Sequence, residues 1–315
     1  MNYKINAKEN KNYLLEELSN ENIKKSFLAE DADIYNDEIP STKDIPENGS
    51  SYYAIVQSDG DNITEIIKSF KDDLDKASNF SELLNEYIIK ANDILDDYGA
   101  FTIYAGGDDL LFFAPLNSKG RNIFQLINKL NTLFKNILNK NVDKHQSSLC
   151  FGISITHSDY PLTEALNEAQ NLLFQDAKKF KKGNIKKNAI ACQIIKYSGK
   201  SSKFTFNQEF NTYKIFNDLL NQKIDEEEFH IKSIKNDLRN GNILIEEKLK
   251  KNKKIEYYFE NKYNKQIHKK YSNFIKLVIK LINEYSSEYN NNKLFNIYSI
   301  LEIKDFVNEG GSNEV

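Results

Sequence analysis

The sequence contains few cysteines, prolines and glycines, and it has no tryptophan. Cys150 and Cys192 are the only cysteines, which excludes a disulfide scaffold and a four-cysteine zinc site. The four histidines are scattered and form no HExxH motif. No stretch approaches the ~18 apolar residues of a spanning helix, and the N-terminus lacks the basic and apolar blocks of a secretory signal. We therefore expect a cytoplasmic protein without membrane contact.

The sequence also has no large excess of positive or negative charge. The chain has 43 basic and 46 acidic residues and a net charge of -3, so no general affinity for polyanions follows. Any contact with nucleic acid must then come from local clusters. The 315 residues leave room for about two domains.

Three segments differ in character. Residues 1–50 are polar and acidic and predict a helical N-terminal arm followed by a linker. Residues 51–200 alternate strand and helix patterns, with the last strand expected at 188–197. Residues 201–315 show mainly helical periodicity and predict a C-terminal helical bundle.

The middle segment predicts the order βαββαβ, with an added helix and strand. This order is that of the split βαβ, or ferredoxin-like, arrangement, so the fold class is α+β: a palm followed by an all-α domain. We expect one face of such a sheet to be free for chemistry. The patterns predict strands at 52–58, 99–105, 110–114 and 149–156, and helices at 62–70, 80–95, 123–138 and 162–180.

The main chemical signal is a set of three carboxylates. Asp59 ends the first strand, and Asp108 and Asp109 lie in a tight Gly-Gly-Asp-Asp turn between two apolar strands. If these strands are adjacent, the three carboxylates converge, and their repulsion favours binding of divalent cations. Two such ions can support in-line displacement at phosphorus. Gly106 and Gly107 allow positive φ and close approach of a nucleotide.

Turn chemistry is the alternative explanation for these residues, because Asp, Gly and Asn are common in hairpin turns. It suffices for Asp59-Gly60-Asp61 taken alone. It explains less well why both motifs occur within one βαββ unit.

The motifs Tyr53–Asn62, Ala105–Leu110, Phe151–His157 and Ala165–Lys179 together resemble a known family. It is the large polymerase-like subunit of type III CRISPR effector complexes, nearer the Cmr branch. The resemblance covers residues 40–200 well and the helical C-terminus more loosely. Full-length relatives carry a nuclease domain, a first palm and usually a zinc-binding segment before this region. This chain therefore looks like the C-terminal half of that subunit.

The resemblance implies an adenylyl-cyclase-like palm that converts ATP to cyclic oligoadenylate second messengers for antiviral defence. It implies two Mg²⁺ or Mn²⁺ ions at a metal site formed by Asp59, Gly60, Asp108 and Asp109, with Asp109 also assisting the attacking 3′-hydroxyl. The implied partners are other effector subunits, crRNA and target RNA, and a separate N-terminal half.

A lysine-rich segment is the second functional candidate. Six of the ten residues at 178–187 are lysine, enough to hold a triphosphate or an RNA backbone. Lysines at a helix C-terminus also complement the helix dipole. Lys178 falls where related cyclases place a phosphate-binding lysine, and Lys182 lies in the same run. The nucleotide-binding set is completed by Gly106, Gly107 and Ser154, although Ser154 equally fits a strand residue that points into the core.

Two other functions remain open at this stage. A diguanylate cyclase shares the palm and the turn, but Asp109 and Leu110 replace its Glu and Phe, and the expected Phe-Lys-x-x-Asn-Asp run is absent. A non-catalytic RNA-binding or structural subunit of the CRISPR ribonucleoprotein is the other alternative.

Overall fold

A computed structural model describes residues 42–45, 50–71, 73–139, 147–222, 229–239, 256–263, 271–289 and 294–311. The expected N-terminal arm thus lies almost entirely outside the described residues. The palm elements are β1 (Tyr52–Gly60), α1 (Ile63–Ser69), α2 (Leu74–Tyr98), β2 (Phe101–Gly106), β3 (Asp109–Pro115), β4 (Asn117–Ser118), β5 (Arg121–Asn122), α3 (Ile123–Leu138), β6 (Leu149–His157), α4 (Leu162–Asn171), a π-helical turn (Leu172–Ala177), β7 (Lys181–Lys182), β8 (Ile185–Lys186), β9 (Ala189–Ile195) and β10 (Ser201–Asn207).

Six strands form one sheet in the order β10-β9-β6-β1-β3-β2. β1 is central and runs antiparallel to both β3 and β6, while β9 adds parallel to β6. The strands β6-β1-β3-β2 reproduce the ferredoxin-like order, so the predicted α+β palm is confirmed. The register places the end of β1 beside the start of β3 and the start of β6.

Local chemistry explains where the main helices begin and end. Asn122 and Gln125 form a capping box at the start of α3. Asp73 caps α2 by accepting from the backbone N–H of Lys76, and Gly99 ends α2 with a positive φ of 89°. The prediction for α3 was correct at both ends. The predicted helix 80–95 was shorter than α2 (Leu74–Tyr98), because the first turns of α2 are mostly polar and exposed.

Both faces of the sheet are covered, which corrects the expectation of one free face. Alternate residues of β1 enter different cores: Ala54 and Val56 join the cluster with α2 and α3, whereas Tyr53 and Ile55 pack against Ala165 of α4. Helix α4 packs on the second face and buries the apolar side chains of β1 that point to that face. Chemistry at this sheet is therefore confined to its rim, where the strands end.

The predicted helix 162–180 ends early, and the sheet extends further than expected. Its last turn is π-helical at 172–177, and the lysine-rich segment continues as the short hairpin β7–β8. A strand at Ser201–Asn207 pairs with β9, so the expected end of the sheet at residue 197 was wrong. Its alternation of exposed and buried residues was hidden by the polar Ser-Ser-Lys run.

The described residues after β10 are helical, as expected. The helices are α5 (Asn211–Leu220), α6 (Phe229–Arg239), α7 (Glu256–Lys262), α8 (Ser272–Tyr289) and α9 (Leu294–Asn308). Their apolar faces share one core with the palm, since Phe216, Leu281 and Val307 belong to the same cluster as Val56. Within the described residues, no helix has the length and apolar character needed to cross a membrane.

Candidate metal and nucleotide site

The three carboxylates predicted from the sequence meet at the rim of the sheet. Asp59 is the penultimate residue of β1. Gly106 pairs with Asp109 across a two-residue turn formed by Gly107 and Asp108. Gly107 has a φ of 63°, a conformation that residues with a Cβ adopt only with strain. The hairpin therefore turns tightly enough to place Asp108 opposite Asp59.

One carboxylate oxygen from each of Asp59, Asp108 and Asp109 lies within 4.8 Å of the others. Asp109 is buried, and the other two are partly exposed. Three acidic groups at this separation repel one another unless a proton or a cation neutralises them. Carboxylate oxygens are the ligands that Mg²⁺ and Mn²⁺ prefer, so the donor set fits the two ions implied by the resemblance.

Asp108 shows the electrostatic cost of this arrangement most clearly. Its pKa is raised from 3.8 to about 7, first by burial and then by the negative charges of Asp109 and Asp59. A metal-free site therefore holds Asp108 partly protonated at neutral pH. A cation at the site would replace that proton.

Gly60 brings the two halves of the site into contact. A Cβ added at Gly60 would lie 2.7 Å from both Cβ and Oδ2 of Asp108, so only glycine allows this approach. The carbonyl oxygen of Gly60 accepts a hydrogen bond from Lys178 Nζ at 2.6 Å. The predicted metal-site residue Gly60 is thus adjacent to the triad, and its carbonyl faces the lysine.

Lys178 contacts the Asp59 corner of the triad, although more than a hundred residues separate the two along the chain. Its Nζ is 2.9 Å from Asp59 Oδ2 and 2.9 Å from Asp61 Oδ1. Burial alone would lower the pKa of Lys178, but the charges of Asp61 and Asp59 outweigh it and raise the pKa. The lysine therefore stays a cation in the site.

The π-helical turn places this lysine. Lys178 follows the turn directly, and its backbone N–H bonds to the carbonyl of Leu173 at 2.8 Å. Gly152 of β6 allows the turn to lie on the sheet, because an added Cβ would overlap backbone atoms of Ala169 and Leu173. π-helical turns often occur at functional sites.

Asp61 is a site residue that the sequence analysis did not select. It is 1% exposed, and besides Lys178 it accepts from Ser148 Oγ at 2.7 Å and from the Asn188 backbone N–H at 2.8 Å. Cys150 Sγ also approaches it at 3.3 Å. Only the Asp-Gly-Asp spacing could have pointed to it, because residues two apart in an extended segment point the same way and Asp61 directly follows β1.

The remaining predicted nucleotide-binding residues fall in different places. Gly107 lies in the turn and Gly106 ends β2 beside it, and a Cβ added at Gly107 would meet no described atom within 4 Å. Lys182 lies on β7 and is partly exposed. Ser154 is fully buried and pairs with Ile55, four residues or about 13 Å from Asp59 along the strand. The structure thus does not bring Ser154 to the triad.

The sheet order, the carboxylates at its rim and the Gly-Gly-Asp-Asp turn define a palm of the nucleotidyl-cyclase type. The family model described as Cas10/Cmr2, second palm domain, matches residues 52–191. This match confirms, for these residues, the resemblance to type III Cas10 subunits found in the sequence. A comparison with curated proteins finds no match.

Solved structures share this fold at low identity. A crystal structure of a Csm1–Csm4 cassette in complex with pppApA has a TM-score of 0.52 and 14% identity, over 86% of this chain and 38% of that chain. The same cassette with cA4 gives 0.50 and 13%, over 86% and 38%. A type III-B Cmr-beta structure gives 0.36 and 14%, over 49% and 27%. This chain therefore spans well under half the length of these matches.

Proposed function

We propose that this palm converts ATP to cyclic oligoadenylate by metal-dependent nucleotidyl transfer, as part of a type III CRISPR effector complex. The observation that carries the proposal is the approach of three carboxylates to within 4.8 Å at the rim of the sheet. A structural turn has no need of this arrangement, which raises the pKa of Asp108 to about 7.

Each part of the site has a task in this reaction. Asp59, Asp108 and Asp109 would hold two divalent cations, which supply Lewis-acid stabilisation of charge at phosphorus when bound. Lys178 provides a fixed positive charge for the triphosphate. The open space above Gly107 allows a nucleotide to approach the turn backbone, and Asp109 would assist the attacking 3′-hydroxyl.

The choice of adenine rests on the family and not on residues of the site. The Csm1–Csm4 cassettes similar to this chain were crystallised with pppApA and with cA4, and we extend that chemistry to this chain by proposal. We also propose that other effector subunits, with crRNA and target RNA, complete the active assembly.

The test is ATP turnover by the assembled complex with a matching target RNA and Mg²⁺ or Mn²⁺. We expect the double variant Asp108→Ala/Asp109→Ala to lose oligoadenylate synthesis by at least about 10³-fold, because the cation site is removed. The matched control is Glu86→Gln, which alters an exposed ion pair on α2. Retained synthesis in the double variant would reject the proposal.

The same assay separates the two alternatives. Preferred turnover of GTP to a cyclic dinucleotide would identify a diguanylate cyclase. Stable assembly with crRNA but no turnover of either nucleotide, with target RNA present, would identify a structural subunit.

A further inference from the structure

The ammonium group of Lys178 is fully occupied. A lysine has three N–H donors, and this one meets three acceptors: Gly60 O at 2.6 Å, Asp61 Oδ1 at 2.9 Å and Asp59 Oδ2 at 2.9 Å. Its side chain is only 13% exposed. In this arrangement Lys178 has no N–H left for a phosphate oxygen.

Asp59 belongs to two groupings that compete for it. It is one corner of the carboxylate triad and also one of the two acidic partners of Lys178. A divalent cation at the triad needs the negative charge of Asp59, and it repels the nearby ammonium. Cation and lysine therefore compete for the same carboxylate.

Asp61 is the partner that can keep Lys178 in place during such an exchange. It lies outside the triad, is almost fully buried and is itself held by Ser148 and Asn188. Hydrogen bonds from several donors fix a buried carboxylate in position. Asp61 and Gly60 O together retain two of the three contacts of Lys178.

We infer that Lys178 is the resident counter-ion of the triad, that it exchanges with a divalent cation at Asp59, and that Asp61 holds it at the rim afterwards. The exchange frees one N–H, which then turns to an anionic oxygen of the nucleotide. Cation binding thereby prepares the triphosphate site. This inference rests on the proposed function only in assuming that the triad binds a divalent cation.

The experiment is a Mn²⁺ titration of the full chain without nucleotide, followed by electron paramagnetic resonance. We expect Lys178→Met to tighten Mn²⁺ binding roughly tenfold, because the competing ion pair is gone. The double variant Lys178→Met/Asp61→Asn removes one positive and one negative charge and keeps the net charge. It should still bind Mn²⁺ several-fold more tightly than the wild type, since Asp59 is free. This double variant also leaves no buried unpaired carboxylate that could prevent folding.

Lys179→Met is the matched control, because Lys179 is the next residue, its contact with Gln175 is exposed, and the charge change is the same. Its Mn²⁺ affinity should equal that of the wild type. A double variant that binds Mn²⁺ no more tightly than the wild type would overturn the inference. Tighter binding by Lys178→Met would then reflect only the net charge of the site and not the release of Asp59.

A second titration tests the link to the nucleotide. With Ca²⁺ present, the wild type should bind ATP more tightly than AMP, and Lys178→Met should lose most of that difference. An unchanged preference for ATP would overturn this part of the inference. If the wild type binds Mn²⁺ but the Lys178 comparisons fail, only this inference is overturned. If the wild type binds no Mn²⁺ at all, the proposed function is overturned as well, so the two failures are distinguishable.

Discussion

At the scale of the residue, the ionisation of Asp108 depends on its neighbours more than on its own chemistry. Burial and two adjacent carboxylates raise its pKa from 3.8 to about 7. Between these values the folded protein binds a proton that the unfolded chain does not hold. By linkage, this group therefore makes the metal-free protein less stable as the pH rises from about 4 to about 7.

Asp108→Asn should remove this pH dependence. In metal-free buffer at pH 8, we expect the variant to be more stable than the wild type by about 1–4 kcal/mol, because one of three repelling charges is gone. At pH 4 the two proteins should be nearly equal. Denaturant unfolding in EDTA at both pH values measures the difference.

The stability of the wild type and of Asp108→Asn can also be compared with Mg²⁺ added. Mg²⁺ should stabilise the wild type at pH 8 and stabilise the variant much less, because the variant has lost a ligand. Equal stability of the two proteins at pH 8 without metal would show that the carboxylates do not strain the fold.

At the scale of the element, the packing of α4 and the π-helical turn on β6 sets the position of Lys178. Gly152 is the residue that permits it, since an added Cβ would overlap backbone of Ala169 and Leu173. The sequence shows Gly152 only as a glycine inside an apolar strand. Such glycines often mark the close approach of another backbone segment, but the pattern does not say which one.

Gly152→Ala should destabilise the protein by about 2–3 kcal/mol, because backbone atoms cannot move aside as a flexible side chain can. It should also weaken ATP binding, since a displaced turn carries Lys178 away from the rim of the sheet. The control is Ser154→Ala on the same strand, whose hydroxyl has no hydrogen-bond partner among the described residues. Thermal unfolding and ATP titration measure both effects, and a Gly152→Ala protein as stable as Ser154→Ala would contradict the account.

At the scale of the whole molecule, a buried ionic cluster joins the palm to the C-terminal helices. Asp305 on α9 pairs with Lys304 at 2.7 Å and with Lys235 on α6 at 2.8 Å. Glu302 pairs with Lys235 at 2.6 Å and with Lys196, which follows β9, at 3.5 Å. Together with the shared apolar core, this cluster makes the palm and these helices depend on one another.

Asp305→Asn should cost about 3–5 kcal/mol in the free energy of unfolding, because Lys304 is 2% exposed and would lose its charged partner. Mn²⁺ affinity of the folded fraction should not change, since Asp305 is not part of the triad. Glu86→Gln, at an exposed pair on α2, should cost less than about 0.5 kcal/mol. Denaturant unfolding gives both values, and a loss below about 1 kcal/mol for Asp305→Asn would show that the cluster contributes little.

Much of the palm could be predicted from the sequence because its signals are local. The apolar run of β1, the periodicity and capping residues of α3, and the glycines of the hairpin turn act over a few residues each. Since Asp59 and the Gly-Gly-Asp-Asp turn lie at the ends of strands that this topology makes neighbours, their convergence could be predicted as well. The strand β10 was missed because it begins with polar residues, and its Phe204 and Phe206 are buried only by packing against Phe216 of a following helix.

By itself, the sequence determined the palm order, the three carboxylates and the family that they resemble, because period, turn chemistry and motif spacing are properties of short segments. The tertiary structure alone decided that Asp61 meets Lys178 across 117 residues, that both faces of the sheet are covered, and that burial and neighbouring carboxylates raise the pKa of Asp108 to about 7. Each of these depends on distances through space and on exclusion of water, which residue order does not contain.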